Sequence, residues 1–242
     1  MMRFALQPEL DPAVLAKMFG AAGRLQVTDF LHPDSAAALL KDLAACREWR
    51  LAVNQGDRIL DFREEDVAAW SAEKRAALDR AVILGGRDRF QYRYETIRLP
   101  KEGDPSGSGA PPLLKQFVEF LCSSEIMAFM RQVTGADDIA FADAHASRYK
   151  SGHFLTTHDD EMEDMGRRAA YVLNLTPRWR PDWGGLLQFY DSRGNVVRGF
   201  TPAFNSLNIF KVPQPHSVSW VTPLAAHPRY AVTGWLRAGE PS

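Results

Sequence analysis

The sequence predicts an α+β fold: a double-stranded β-helix, or jelly roll, over about residues 136–240, buttressed by N-terminal helices over about residues 1–135. Three observations carry this. Before Gly135, apolar residues recur at helical spacing, as at Leu39, Leu40 and Leu43. Beyond Gly135 come about eight short apolar segments with turn residues between them, the spacing of a two-sheet jelly roll or barrel. The 242 residues suffice for one large domain with a substantial core, and no internal repeat divides them.

In the first half, Asp11 to Phe19 reads as a helix, with Asp11 as N-cap and Pro12 in the first turn. Arg24 to Leu31 alternates like an edge strand. Pro33-Asp34-Ser35 is a capping signal for a helix from Ala36 to Trp49. Arg50 to Val53 and Ile59 to Phe62 suit a hairpin around Asn54-Gln55-Gly56-Asp57. Glu64 to Leu84 is helical with a break near Ser71, and Gly85-Gly86 ends it. Phe90 to Leu99 is strand-like.

The segment Pro100 to Pro112 is rich in glycine and proline and lacks the Gly-Lys-Ser/Thr ending of a phosphate-binding loop. It reads as an inert surface excursion or as a lid. Leu113, Phe117, Phe120 and Leu121 mark a helix, which Ile126, Phe129, Met130 and Val133 continue or restart after Ser123-Ser124. The expected strands are Ile139–Tyr149, His153–Asp160, Ala169–Leu175, Gly185–Tyr190, Asn195–Phe200, Ser206–Val212, Ser217–Val221 and Tyr230–Leu236.

Composition excludes several classes. With 29 basic and 30 acidic side chains, nothing favours nucleic acid or an anionic membrane as partner. Cys46 and Cys122 are too few for a disulfide framework or zinc site and read as two buried thiols in a reducing cytoplasm. Met1 to Glu9 lacks the apolar core of a signal peptide, and no apolar run approaches the roughly 20 residues needed to span a bilayer. A soluble cytoplasmic protein is the expectation.

The chemistry concentrates in Thr157-His158-Asp159-Asp160, answered downstream by Pro215-His216 and His227-Pro228-Arg229-Tyr230. On an extended strand, alternation puts His158 and Asp160 on one face and Asp159 on the other. One imidazole and one carboxylate two residues apart, with a distant second imidazole, make a 2-His-1-carboxylate set. Such a set leaves coordination positions open and is associated with non-haem Fe(II) oxygenases. Alone, His-x-Asp is commonly no more than a pair of exposed polar side chains. What raises its weight is Arg229, which opens the apolar run to Leu236 and shares a face with the small residues Ala231 and Thr233. Charge then favours one ligand. Fe(II), one aspartate, a 2-oxoglutarate dianion and one arginine sum to zero, as a partly buried site requires.

These residues resemble the Fe(II)/2-oxoglutarate dioxygenases, in their prolyl 4-hydroxylase-like branch. The resemblance rests on Arg148-Tyr149-Lys150-Ser151-Gly152-His153-Phe154-Leu155, His158-Asp159-Asp160, Arg167-Arg168 leading into Tyr171-Val172-Leu173-Asn174-Leu175, Trp183-Gly184-Gly185-Leu186-Leu187, His216, and Arg229 through Trp235. It covers about residues 140–237. The nearest look-alikes are bacterial and fungal proteins whose catalytic domain resembles prolyl hydroxylases of ribosomal proteins.

The resemblance implies His158, Asp160 and His216 as iron ligands and Arg229 as the partner of the distal 2-oxoglutarate carboxylate. Of the other histidines, His32 in a capping turn and His145 on a strand read as structural. His153 turns away by parity, while His227 is a turn residue that could also approach from the arginine side. Relatives place a co-substrate-touching tyrosine at Tyr149. In the strand after the double arginine the candidates are Tyr171 and Asn174, on opposite faces; Asn174 is favoured, with its amide donating to the distal carboxylate. Relatives usually carry serine two residues after the arginine, where this chain has Ala231.

Glu161-Met162-Glu163-Asp164-Met165-Gly166 starts at the metal, and its acidity favours a cationic partner if it faces substrate. The implied activity is hydroxylation with Fe(II), 2-oxoglutarate and O2, and ascorbate is admitted as a helper. A prolyl residue in a peptide or protein is the favoured substrate, with a free amino acid or small metabolite as the alternative. Two rivals from other classes are a cupin-like metal protein without co-substrate and a non-catalytic jelly-roll binding module.

Overall fold

Asp11 caps the first helix as its sequence predicts: its carboxylate accepts from the Ala13 and Val14 amides, and Gly23 at φ +64° closes the other end. The computed structural model describes residues 4–99, 109–163 and 165–239. The helices are α1 (Pro12–Ala22), α2 (Pro33–Ala45), α3 (Glu64–Ala68), α4 (Ala72–Asp88), α5 (Pro112–Leu121) and α6 (Ser124–Thr134). Ser71 breaks the long helical stretch as expected, accepting from the Lys74 amide, and Ser123 caps α6 in the same way.

Several boundaries differ from expectation, and two of them have a visible cause. It is the His32 side chain that caps α2, accepting from the Asp34 amide, so Ser35 lies inside the helix. Gly85-Gly86 does not end α4. The helix runs on to Asp88 because those glycines give room to Gln91, whose amide oxygen a Cβ at Gly85 would strike. Nor are both thiols buried: Cys46 is partly covered and Cys122 is exposed. No helix among the described residues is long and apolar enough to cross a membrane.

The first half also carries the strands that its alternation predicts. It holds β1 (Arg24–Val27), β2 (Arg50–Gln55), β3 (Arg58–Arg63) and β4 (Tyr92–Arg98). The second half adds β5 (Ile139–Ala142), β6 (His145–Tyr149), β7 (Phe154–His158), β8 (Arg167–Asn174), β9 (Leu187–Tyr190), β10 (Val196–Phe200), β11 (Ser206–Lys211), β12 (His216–Val218) and β13 (Arg229–Ala238). The run Ile139–Tyr149 is split in two at Asp143 and Ala144.

All pairings are antiparallel, in the order β1-β11-β8-β13-β6-β4-β7-β12-β9-β10, with the β2–β3 hairpin on β4. The single strand β4 joins the two halves of the jelly roll. Its C-terminal residues Glu95 to Arg98 pair with β6, while Tyr92 and Arg93 pair with β7. A strand from the helical half thus closes the barrel between the arginine-bearing sheet and the histidine-bearing one.

Alternation along the strands divides the core. On β8, Ala169, Tyr171 and Leu173 face the helices, joining Leu15, Leu39, Phe117 and Met130 in one large cluster. Ala170 and Val172 face the other way, into a cluster with Leu187, Phe189, Phe200 and Phe210 between the two sheets. Phe189 sits at its centre, fully buried, edge-on to Phe200 at 5.8 Å and Phe210 at 5.1 Å. Phe189→Ala should therefore cost about 3–5 kcal/mol of unfolding free energy in urea denaturation. A loss below about 1 kcal/mol would show that this layer does not hold the two sheets together.

Candidate metal centre

His158 ends β7 and His216 begins β12, and the two are Cα partners in the antiparallel pair, so their rings lie 4.1 Å apart between centroids. Each ring is fixed by a main-chain carbonyl two residues back. His158 Nδ1 lies 3.0 Å from the Thr156 oxygen and His216 Nδ1 lies 2.8 Å from the Gln214 oxygen. A carbonyl only accepts, so each Nδ1 carries the proton and each Nε2 turns a lone pair inward. Burial, reinforced by His158, pushes the His216 imidazole down to about 4.

Asp160 completes the group by a route that alternation does not describe. The strand stops at His158, and Asp160 adopts φ +65°, a left-handed conformation uncommon outside glycine. Its main-chain carbonyl accepts from Arg167 Nη1 at 2.9 Å. Its carboxylate oxygens then lie 3.4 Å from His158 Nε2 and 3.5 Å from His216 Nε2. Burial opposes the charged carboxylate, but the His158 contact and the neighbouring His216 outweigh it and hold Asp160 below the usual range. Asp159 points away and caps the turn, accepting from the Glu161 amide at 3.1 Å.

The three donor atoms lie within 4.8 Å of one another. Two imidazole lone pairs and a carboxylate converging without a shared hydrogen need a cation between them. The donor set therefore fits a divalent ion of the kind that takes two imidazoles and one carboxylate.

The triad borders a cavity of about 460 Å³ that Arg229 also lines. Arg229 is 2% exposed, with its guanidinium 5.3 Å from the Tyr149 ring centroid. Burial lowers its pKa to about 10, so it stays charged at neutral pH. Nη2 donates to Asn174 Oδ1 at 3.2 Å, whereas Nε and Nη1 are buried without a partner among the described residues. Tyr149 stacks on Tyr94 at 5.3 Å, and burial pushes both phenols up, Tyr94 to about 12.

Asn174 is fully buried, and its amide hydrogens go to the Ser206 carbonyl and hydroxyl rather than into the cavity. The expected amide donation to a carboxylate is therefore not what this geometry offers. Tyr171 faces the helices, donating to the Asp143 carbonyl.

Of the remaining histidines, His227 is exposed, packed edge-on against Trp179 and Trp183. His145 reads as structural in the sequence, yet it lines the cavity between the Tyr94 and Trp235 rings. Parity from Arg229 reaches Trp235, which signals its place on the cavity face. Arg167 had no signal beyond the double arginine, and it packs 3.7 Å from the Trp235 ring centroid beside Asp160. Exposed Ile59 and Phe90 also border the cavity.

Residues 144–237 match the family model described as the 2OG-Fe(II) oxygenase superfamily. Over this segment the chain is similar to that superfamily. His158, Asp160, His216 and Arg229 all lie inside it, and the match bears out the resemblance read from the sequence. The chain is 32% identical over 154 residues to Prolyl 3-hydroxylase OGFOD1 of Mus musculus, covering 61% of this chain and 28% of that protein. Its Xenopus laevis counterpart is 32% identical over 115 residues, covering 45% of this chain and 22% of that one. The chain thus spans less than a third of these curated relatives.

Among solved structures, a Pseudomonas putida prolyl-4-hydroxylase superposes with a TM-score of 0.60 at 19% identity, covering 95% of this chain and 100% of that one. A prolyl hydroxylase from Trichoplax adhaerens, solved with a hypoxia inducible factor peptide, gives 0.57 at 18%, covering 94% and 89%. These likenesses establish the jelly roll as the fold.

The oxygenase segment also holds a buried histidine outside the cluster. His153 accepts from the Lys150 amide at 3.1 Å, and burial pushes it down to about 3. Between that value and the ordinary imidazole range the unfolded chain binds a proton that the folded one refuses. Its contribution to stability is therefore lost as pH falls through this window. From pH 7 to pH 5 the native protein should lose about 2 kcal/mol more than His153→Asn does. Equal losses in urea titrations at both pH values would show that His153 protonates in place.

Proposed function

We propose that the chain is an Fe(II)- and 2-oxoglutarate-dependent hydroxylase of a prolyl residue in a peptide or protein, acting as one oxygenase domain. The observation that carries this reading is Arg229, a buried charged guanidinium with two unpartnered N–H groups on the cavity that the His158, Asp160 and His216 cluster borders. A cupin-like metal site without co-substrate has no use for such an arginine. Support for the substrate class comes from the names of the curated relatives, prolyl 3-hydroxylases. They favour carbon 3 of the ring over carbon 4, because the 4-hydroxylase likeness is one of fold alone. Free cysteines suit a reducing cytoplasm as its place of action.

His158 Nε2, His216 Nε2 and the Asp160 carboxylate would hold the iron. Arg229, with its planar fork of donors, would take the distal carboxylate of 2-oxoglutarate. Bound there, iron and 2-oxoglutarate supply oxidative decarboxylation with O2, yielding succinate and CO2 while one oxygen atom enters a substrate C–H bond. The remaining work of the chain is to bind, orient and exclude water. Tyr149 and Tyr94 wall the arginine end with stacked rings. Tyr92, His145 and Trp235 give the rest of the cavity flat apolar surfaces suited to an uncharged pyrrolidine ring. The exposed stretch Glu161 to Glu163 leaves Asp160 directly, where it can meet a cationic flank of the substrate. The lid expected at Pro100 to Pro112 lies mostly outside the described residues.

Aerobic incubation with Fe(II), 2-oxoglutarate and a pool of proline-containing peptides should release succinate and add one oxygen atom to a peptide. Asp160→Ala should abolish both metal binding and turnover, and Asp159→Ala should keep most of each. Arg229→Ala should raise the KM for 2-oxoglutarate by roughly two to three decades while sparing metal affinity, because a desolvated carboxylate loses its counter-charge. Near-normal 2-oxoglutarate dependence in Arg229→Ala would return the cupin-like reading to the front.

A further inference from the structure

We infer that Asn174 is a positioning residue that holds the Arg229 guanidinium in place while leaving its charge uncompensated for an incoming carboxylate. The inference rests on the reading of the cavity as a 2-oxoglutarate site and assigns Asn174 a role through Arg229 rather than on the ligand. Asn174 lies at the end of β8, Cα-paired with Ala231 of β13 on one side and Ser206 of β11 on the other. Its Oδ1 accepts from Arg229 Nη2 at 3.2 Å, and its Nδ2 donates to the Ser206 carbonyl and hydroxyl, each at 3.2 Å. The Ser206 hydroxyl in turn donates to the Ala203 carbonyl at 2.7 Å, so it offers Nδ2 only a lone pair.

This relay admits one orientation of the amide. Reversed, its NH2 would face a guanidinium that has only donors, and its oxygen would face the Ser206 carbonyl. Every group in the relay is neutral. Among the described residues no carboxylate lies within ion-pair distance of Arg229, although ion pairs fix Arg50, Arg93, Arg148 and Arg168 elsewhere. The arginine stem is confined as well: a Cβ at Gly185 would lie 3.6 Å from Arg229 Cδ and 3.3 Å from the Trp179 ring. One N–H is therefore pinned by a neutral acceptor, while Nε and Nη1 stay free for a ligand.

An aspartate at position 174 has nearly the same shape and would keep the bond from Nη2 while neutralising the guanidinium in place, although its second oxygen would face the Ser206 carbonyl. That substitution separates geometry from charge. The experiment is a calorimetric titration of 2-oxoglutarate into the Mn(II)-loaded protein without oxygen, beside kinetics with Fe(II). Asn174→Asp should fold with a lowered melting temperature and bind Mn(II) normally, yet bind 2-oxoglutarate on the order of a hundredfold more weakly. At saturating 2-oxoglutarate its kcat should stay within a few-fold of the native value. Asn174→Ala should lose about tenfold in affinity, having lost the pin and kept the charge.

In an Arg229→Ala background Asn174→Ala should not weaken binding further, because Asn174 acts only through the arginine. Native-like 2-oxoglutarate affinity in Asn174→Asp, native-like affinity in Asn174→Ala, or an additive loss for Asn174→Ala in the Arg229→Ala background would each overturn the inference. Native-like affinity in Arg229→Ala alone would remove the 2-oxoglutarate reading itself, a result distinguishable from the other three.

Discussion

A charged guanidinium buried without a counter-charge is the constraint on which the rest of this structure turns. Desolvating Arg229 costs several kcal/mol that no carboxylate among the described residues offsets. The fold bears that cost with rigid surroundings. Arg229 opens a ten-residue strand paired on both sides, its stem fits against Gly185 and Trp179, and one nitrogen is held by a neutral amide. A dicarboxylate that reaches the cavity finds the binding free energy waiting there, because the arginine was desolvated when the chain folded.

The histidine end of the cavity is built by a different means. The sheet that carries Arg229 contributes neither histidine; both come from the facing sheet, through the register of β7 and β12. The two ends are held in relation by β4, which pairs with both sheets, and by the aromatic layer around Phe189 that fills the space between them. Phe189 and Phe210 also pack against His216, at 6.1 Å and 4.5 Å between ring centroids, so the layer that joins the sheets also positions this imidazole. Distance between the histidine pair and the arginine is thus set by core packing, and core packing is stiff.

Much of this was legible in the sequence, and the reasons are local. The jelly-roll half could be read because its strands are short, apolar and separated by turn residues. The cap at Asp11 and the helix interruptions at Ser71 and Ser123 could be read because one side chain decides each. What stayed hidden depends on pairing between distant segments. Nothing near Tyr92 announces that its strand joins two sheets, and nothing near Gly85 announces that Gln91 must pack against it. His158, Asp160 and His216 do come together, but the strand-parity argument for Asp160 fails at the end of β7, where a positive φ does the work instead. Asn174 was singled out for the right neighbourhood, while its hydrogen-bond direction depended on Ser206, thirty-two residues away.

The most direct test is a crystal structure of the protein grown without oxygen in the presence of Mn(II) and 2-oxoglutarate. The expected density shows the metal on His158 Nε2, His216 Nε2 and Asp160, with 2-oxoglutarate reaching from it to place its distal carboxylate on Nε and Nη1 of Arg229. A metal seated on other residues, or a carboxylate that avoids Arg229 and binds Arg167 or Arg98 instead, would contradict the central assignment.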